Sequence, residues 1–226
     1  MSLVVKLIVT VALWIAFFGA LLFVPAGTPH WWHAWVLLGA LSALSIGAGV
    51  ALLPAHADLI KERLKPPLQR DQPLADKIVL SLFLLMFYGL LVFISLDVFR
   101  LHLLGAPGPL VSALGLALFF AGWWIAYLGI RENAFAATVV KHPEAQTVVD
   151  TGIYGVIRHP LYAGGSVLLV GTALWLQSYA GALAALVLIG TIIVRALLEE
   201  RFLTRELDGY EAYTRRVRYR LVPFVW

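Results

Sequence analysis

The chain of 226 residues is 61% apolar and only 13% charged, with a formal net charge of +4 and no cysteine. A soluble domain has about a quarter charged residues and less than half apolar ones, so most of this chain must face lipid or other buried helices. The lack of cysteine excludes disulfides, thiolate metal sites and cysteine nucleophiles. In a soluble protein a net positive charge would suggest a nucleic-acid partner. In a membrane protein it more often reflects which loops face the cytoplasm, so we expect no nucleic-acid partner.

Six apolar stretches follow one another, at residues 3–24, 31–53, 78–98, 110–130, 161–176 and 181–194. A span needs about 20 apolar residues, and inside lipid every backbone amide must be paired within the protein, which favours helices. The fold class is therefore all-α: a polytopic transmembrane bundle of about six spans with a cytoplasmic C-terminal helix. The fifth and sixth stretches are short for full crossings.

The basic residues predict the orientation of the chain. They gather after the second, fourth and sixth stretches, whereas only Arg100 stands out on the opposite side. The positive-inside rule therefore predicts an integral, multi-pass membrane protein with both termini cytoplasmic. The tail at residues 199–218 has apolar residues at helical spacing, which predicts a charged helix that continues the sixth span and lies on membrane lipids.

Polar side chains concentrate between Gly152 and Gly164, where Tyr154, Arg158, His159, Pro160 and Tyr162 directly precede an apolar stretch. Proline suits the first turn of a helix, whose unpaired amides favour an anionic group. A carboxylate or phosphate of a bound small molecule could therefore lie beside Arg158 and His159. The alternative is a basic interfacial anchor with an aromatic belt, which leaves the glycines and the His-Pro pair unexplained.

A second polar cluster ends the sixth stretch. Arg195 and Glu199 are four residues apart and therefore share a helix face, and Glu200 follows directly. Ionisable residues that face the bundle at the edge of a bilayer are candidates for a functional site. The simpler interpretation is an ordinary helix ion pair. At the end of the fourth stretch, Glu132 and Asn133 are interpreted as a helix terminus.

Three segments together resemble the isoprenylcysteine carboxyl methyltransferase family, which in turn resembles the phospholipid methyltransferases. They are TVVDTGIYGVIRHPLYAGG, RALLEERFL and LDGYEAYTRRVRYRLVPF, and the resemblance covers roughly residues 126–226. It implies a membrane methyltransferase that uses S-adenosylmethionine without a soluble Rossmann domain. It also divides the chain into N-terminal helices with a cytoplasmic loop, residues 1–109, and a methyltransferase-like core, residues 110–226.

The resemblance implies site residues as well. Those matching cofactor contacts are Gln146, Thr147, Val148, Val149, Tyr154, His159, Pro160, Leu161, Tyr162 and Glu199. Arg195 matches the arginine of the substrate site and is the predicted catalytic residue. From the residues themselves, Arg158 and His159 suit the carboxylate of the cofactor, and Glu199 or Glu200 its ammonium or ribose.

The predicted reaction is an in-line displacement at the sulfonium methyl group, in which an acceptor lone pair takes the methyl and the sulfur leaves. A carboxylate acceptor needs no general base and Arg195 could orient it bidentately, whereas an amine would need a base. This favours carboxyl O-methylation of a lipid or isoprenoid-like acceptor that enters from the bilayer. The identity of the acceptor and the oligomeric state stay open.

Two other classes of function compete with this interpretation. One is an NADPH-dependent membrane lipid or sterol reductase, because such enzymes share a similar C-terminal bundle. The other is a non-enzymatic transporter or scaffold, which would need polar residues near the middle of the membrane. A metal site is not expected, since the six histidines are dispersed and no carboxylate cluster joins them.

Overall fold

The computed structural model describes residues 2–66, 68, 74–133 and 147–226, which form seven α-helices and no strand. Five helices are apolar and long enough to cross a membrane, and large apolar side chains such as Leu13 and Leu85 point outward. The predicted helical membrane bundle is therefore confirmed. The helices are α1 (Leu3–Ala26), α2 (Trp32–Arg63), α3 (Leu74–Leu96), α4 (Pro109–Glu132), α5 (Pro160–Trp175), α6 (Tyr179–Glu206) and α7 (Tyr210–Arg216).

Helix α5 has the length of the predicted fifth stretch, whereas α6 is longer than the predicted sixth. The 16 residues of α5 extend about 24 Å, which is less than the roughly 30 Å hydrocarbon core of a bilayer. The 28 residues of α6 extend well beyond the apolar stretch at 181–194, because the charged residues that follow stay helical. The polar cluster at Arg195, Glu199 and Glu200 therefore lies on a continuous helix.

Helix α2 bends near its end. Pro54 lies inside the helix, and His56 leaves the helical region with φ −135° and ψ 41°. Kinks of this kind are expected near proline, which cannot donate a backbone hydrogen bond. The predicted end of the second span at residue 53 therefore marks this bend, beyond which residues 57–63 form a further helical segment.

The helices alternate in direction, so both described ends of the chain lie at one end of the bundle. Gly129 at the end of α4 packs on Pro160 at the start of α5, whereas Gly115 at the start of α4 packs on Trp175 at the end of α5. We call the end of the bundle that carries Ser2, Arg63, Asn133, His159 and Glu206 the terminal face.

Glycines bring α4 and α5 into backbone contact. A Cβ atom added at Gly122 would lie 2.5 Å from Gly164 O, and one added at Gly171 would lie 2.5 Å from Phe119 N. Small residues at such spacing let helices approach closely in membranes, where close packing drives association. This contact fixes the position of the first turn of α5 relative to the end of α4.

The face opposite the terminal face is held by buried polar contacts. The Ser178 hydroxyl donates to Asp97 Oδ2 at 2.6 Å and accepts from Gly181 N at 2.7 Å, which caps α6 and joins it to the end of α3. The Trp175 indole donates to His33 O at 2.8 Å. These contacts close the bundle at this face.

The tail is not the single continuous helix predicted for residues 199–218. Helix α6 ends at Glu206, and Gly209 adopts φ +83° before α7 begins. A left-handed glycine reverses the chain at little cost, so α7 folds back and buries Tyr210 and Tyr213 against Leu203 and Val148. The apolar residues at helical spacing in the tail therefore belong to two helices, which pack against each other across the turn at Gly209.

Candidate active site

The segment between α4 and α5 is anchored to the end of α4 at the terminal face. The Thr151 hydroxyl donates to Glu132 Oε1 at 2.5 Å, and Gly152, at φ +53°, approaches the same carboxylate so closely that a Cβ atom would lie 2.7 Å from it. Only glycine fits both the conformation and the space. Residues 152–155 then form a 3-10 turn that places Tyr154 in the interior.

Tyr154 links several parts of the terminal face. Burial raises the pKa of its phenol to about 12, the charges of Glu199 and Glu132 also raise it, and a hydrogen bond with Asn133 and the charge of Arg63 lower it. The phenol is therefore neutral and able to donate at physiological pH. The carbonyl of Tyr154 accepts a hydrogen bond from the Tyr213 hydroxyl at 2.8 Å.

Arg158 joins α6 to the tail. Its Nε donates to Glu200 Oε1 at 2.6 Å, and its terminal nitrogen donates to Val217 O at 2.9 Å and to Arg218 O at 3.3 Å. A guanidinium suits the carbonyls that follow α7, because the end of a helix is electronegative. The side chain is only 6% exposed, so these buried contacts hold α6 and the residues after α7 together.

Glu200 is the centre of this network. His159 Nε2 lies 3.1 Å from Oε1, and Arg220 Nε donates to Oε2 at 2.9 Å. With Arg158 on Oε1, both carboxylate oxygens are engaged. The backbone supports the same arrangement, since Arg158 N donates to Tyr219 O at 2.9 Å and His159 N to Arg220 O at 3.0 Å.

Glu199, one residue earlier, faces a different partner. The Tyr162 hydroxyl donates to Glu199 Oε2 at 2.5 Å, and both side chains are half-buried. Tyr162 belongs to the first turn of α5 and its ring lies over the His159 ring, with centroids 5.4 Å apart. The pair thus places a carboxylate beside the start of α5, where it is accessible from the terminal face.

The start of α5 has the donor set that an anion needs. Pro160 is the first helical residue, and the first intrahelical bond is made by Ala163 N to His159 O. The amide of Leu161 precedes that bond, and the His159 side chain makes no capping bond. The Leu161 amide at the start of α5 and the nearby Glu199 carboxylate therefore fit a molecule that carries both a carboxylate and an ammonium or hydroxyl groups, as S-adenosylmethionine does.

The structure thus brings most of the predicted site residues to the terminal face. Tyr154, Arg158, His159, Pro160 and Glu200 are buried within it, and Leu161, Tyr162 and Glu199 are half-buried. Whether each one contacts a cofactor stays a prediction.

The remaining predicted residues flank this group. Thr147 is exposed, Val148 and Val149 are half-buried, and Gln146 lies outside the described residues. Arg195 is half-buried on α6, one helical turn before Glu199.

A cavity of about 380 Å³ adjoins this polar group but is lined by none of the predicted residues. Its walls come from the parts of α1, α2 and α4 nearest the terminal face, and they are mostly apolar. Examples from the three helices are Leu7, Trp14, Leu52, Arg63, Tyr127 and Ile130.

Four residues of the terminal face were not assigned to the site by the sequence. Glu132 and Asn133 were interpreted only as a helix terminus, and nothing distinguished Arg220 or Arg63 from the other basic residues of their segments. Their contacts join parts of the chain far apart in sequence, such as Arg220 and Glu200. The one usable signal was a carboxylate and an amide at the end of an apolar stretch.

Comparison with known proteins supports a methyltransferase. Residues 110–208 match the family model described as phospholipid methyltransferase, which confirms the resemblance drawn from the sequence motifs because the two families are related. The matched residues include α4, α5 and α6 and thus the Tyr162–Glu199 pair. No curated protein matches the chain significantly. The match and the apolar helices together support an integral membrane methyltransferase.

Proposed function

We propose that this chain, whose residues 110–208 match the phospholipid methyltransferases, is an S-adenosylmethionine-dependent methyltransferase that methylates a carboxylate on a lipophilic acceptor. The observation that carries the proposal is the Tyr162–Glu199 hydrogen bond of 2.5 Å beside the start of α5. It places a carboxylate next to the first turn of a helix in the matched segment, at the positive end of the helix dipole. An anion site and a cation site thus lie together, as a zwitterionic cofactor requires.

Different residues hold and support the cofactor. The amide of Leu161 in the first turn of α5 donates to its carboxylate, and Glu199 binds its ammonium or ribose, with Tyr162 fixing the orientation of the Glu199 side chain. Tyr154 supplies a neutral hydroxyl at the same face. Arg158, His159 and Glu200 act as positioning residues, because their hydrogen bonds hold the start of α5 against α6 and the tail.

When bound, S-adenosylmethionine would supply an electrophilic methyl group: an oxygen lone pair of the acceptor would attack the methyl carbon in line while the carbon–sulfur bond breaks, and the sulfur would leave as a neutral thioether. The protein has to align the two reactants, and alignment alone can supply several kcal/mol of the barrier. Arg195, one turn before Glu199, orients the acceptor carboxylate through its guanidinium. A carboxylate acceptor needs no base, which agrees with an arginine in this position.

Because the site lies at the edge of the membrane, the cofactor and the acceptor reach it by different routes. The polar cofactor enters at the terminal face, which we place in the cytoplasm together with both termini, in agreement with the basic residues there. The apolar acceptor enters from the surrounding lipid. The oligomeric state plays no part in this proposal.

The description of the matched family favours a second acceptor class, the amine of a phospholipid headgroup. Methylated products distinguish the two, because a methyl ester releases methanol in alkali and an N-methyl group does not. Incubation of membranes containing the protein with methyl-labelled S-adenosylmethionine should yield a labelled, lipid-extractable species. Alkali-labile label supports the carboxylate acceptor, alkali-stable label in phospholipid supports the amine, and binding of NADPH in place of S-adenosylmethionine overturns the proposal in favour of a reductase.

The Arg195→Ala variant tests the assigned role of Arg195. It should abolish acceptor methylation while the affinity for S-adenosylmethionine stays unchanged in a binding titration. Loss of cofactor affinity would reassign Arg195 to the cofactor site. A protein that binds neither cofactor would favour the transporter or scaffold alternative.

A further inference from the structure

The cavity between α1, α2 and α4 has no role in the function proposed above. Its volume of about 380 Å³ lies at the lower end of the roughly 300–1,000 Å³ of small-molecule sites. Two of its walls belong to residues before 110, outside the matched segment. A ligand of this cavity would therefore be recognised in large part by helices that precede the matched segment.

The walls of the cavity suit an apolar chain. Leu7, Trp14 and Leu52 contribute aliphatic and aromatic surface, and the stacked rings of Trp123 and Tyr127, 5.4 Å apart, form the side contributed by α4. The lining residues nearest the N-terminus and the end of α2 place the cavity in the half of the bundle next to the terminal face. A headgroup of a ligand within it would lie at that face.

The polar end of the cavity is marked by Arg63. The bend at His56 carries residues 57–63 across this end, so that Ile60 and Arg63 both line it. The charge of Arg63 acts on the Tyr154 phenol, and so does that of Glu199. The Tyr154 phenol is therefore under the electrostatic influence of both Arg63, at the end of the cavity, and the Glu199 carboxylate.

We propose that the cavity binds the hydrocarbon chain of a single-chain carboxylic acid, and that Arg63 binds the carboxylate of this acceptor at the terminal face. The proposal rests on the function proposed above and identifies the class of its acceptor. A cationic guanidinium favours a carboxylate and repels an ammonium headgroup. Since a carboxylate has about four lone-pair positions, contact with Arg63 on the cavity side is compatible with a contact to Arg195.

The limited size of the cavity argues for one chain. Except for Thr10 and Ser45, the side chains inside it have no small hydroxyl groups, so it offers little to a second headgroup or a glycerol backbone. A diacyl phospholipid would leave one chain outside the walls. A fatty or isoprenoid acid fills the apolar space and brings its single anionic group to Arg63.

Photo-crosslinking of the purified full-length chain tests the occupant. The probe is a 16-carbon fatty acid with a diazirine near its terminal methyl, with peptide mapping of the labelled sites and hexadecanoic acid as competitor. We expect label on peptides of α1, α2 and α4 that line the cavity. The Ala48→Phe variant, which fills the cavity, should lower the yield at least about fivefold, whereas Ala43→Phe on the exposed side of α2 should not.

The Arg63→Gln variant tests the headgroup contact and does not alter the apolar walls. It should raise the half-saturating concentration of the acid about tenfold and leave that of the matching C16 alcohol probe unchanged. Lys61→Gln is the matched control, since Lys61 is 61% exposed and pairs with Asp58. Equal effects on acid and alcohol, label spread over outward-facing residues, or equal competition by a diacyl phospholipid would each overturn the proposal.

Titration with S-adenosylmethionine separates this proposal from the function on which it rests. If the wild-type chain binds no S-adenosylmethionine, the proposed function fails, whatever the crosslinks show. If it binds the cofactor and transfers methyl groups but the cavity takes no label, the acceptor assignment alone fails.

Discussion

Arg158 and Glu200 form a buried ion pair, Nε to Oε1 at 2.6 Å, between the segment before α5 and the end of α6. The same carboxylate accepts from Arg220 in the tail, and the same guanidinium donates to the carbonyls that follow α7. This pair therefore joins three parts of the chain that lie far apart in sequence. The start of α5 is held in place by it.

Removal of the charge of Glu200 should destabilise the protein. In Glu200→Gln the buried Arg158 guanidinium loses its counterion, and breaking a buried pair from one side costs about 3–5 kcal/mol, somewhat less here because Gln keeps one acceptor oxygen. Thermal unfolding in detergent should show a midpoint roughly 5–15 °C lower. Glu211→Gln, which removes the exposed partner of Arg215, should have almost no effect, and equal midpoints for both variants would contradict a central role of Glu200.

The Tyr162→Phe variant should weaken cofactor binding without unfolding the protein. It keeps the ring over His159 but removes the hydrogen bond that orients Glu199. A hydrogen bond to a charged group contributes about 1.5–3 kcal/mol, so the Kd for S-adenosylmethionine should rise about tenfold or more in calorimetric titration. Tyr179→Phe, at the start of α6 on the opposite face, is the control. An unchanged Kd in Tyr162→Phe would remove Glu199 from the site.

Adjacent glycines of α5 should respond oppositely to the same substitution. A Cβ atom at Gly164 would lie 2.5 Å from the backbone oxygen of Gly122, whereas one at Gly165 would point into open space, with no atom of another helix within 4 Å. Gly164→Ala therefore forces α4 and α5 apart, at a cost of about 1–3 kcal/mol or more. Gly165→Ala should be neutral or stabilising by up to about 1 kcal/mol, because alanine favours helix. Equal unfolding midpoints for the two variants would exclude backbone contact between the helices.

Ionisation of Tyr154 should destabilise the fold in alkali. Burial raises the pKa of its phenol to about 12 from an ordinary value of 10.0, so folding favours the neutral form. The stabilisation is complete below about pH 10 and is lost as the pH rises towards 12, by about 2–3 kcal/mol in all. The unfolding midpoint should fall over this range, and less so in Tyr154→Phe. An identical decline in that variant would show that other groups cause it.

The residues near Glu199 show how far sequence reasoning reached. The residues themselves marked Tyr162, Glu199 and Glu200 as chemically significant but left the two glutamates as alternatives for one role, and only the family resemblance favoured Glu199. In the structure Glu199 accepts from Tyr162, whereas Glu200 accepts from Arg158 and Arg220. Adjacent residues on a helix point about 100° apart, so the neighbours packed on each side decide which partner each one meets.

The sequence by itself determined that the chain is a bundle of membrane helices. Apolar stretches in lipid must pair their own amides, and that requirement is local. Only the tertiary structure decided that Gly209 turns the tail back onto the bundle, that Arg220 reaches Glu200, and that the bend at His56 brings Arg63 to the end of a cavity. These contacts depend on how helices pack against one another, and packing joins residues whose separation along the chain carries no periodic signal.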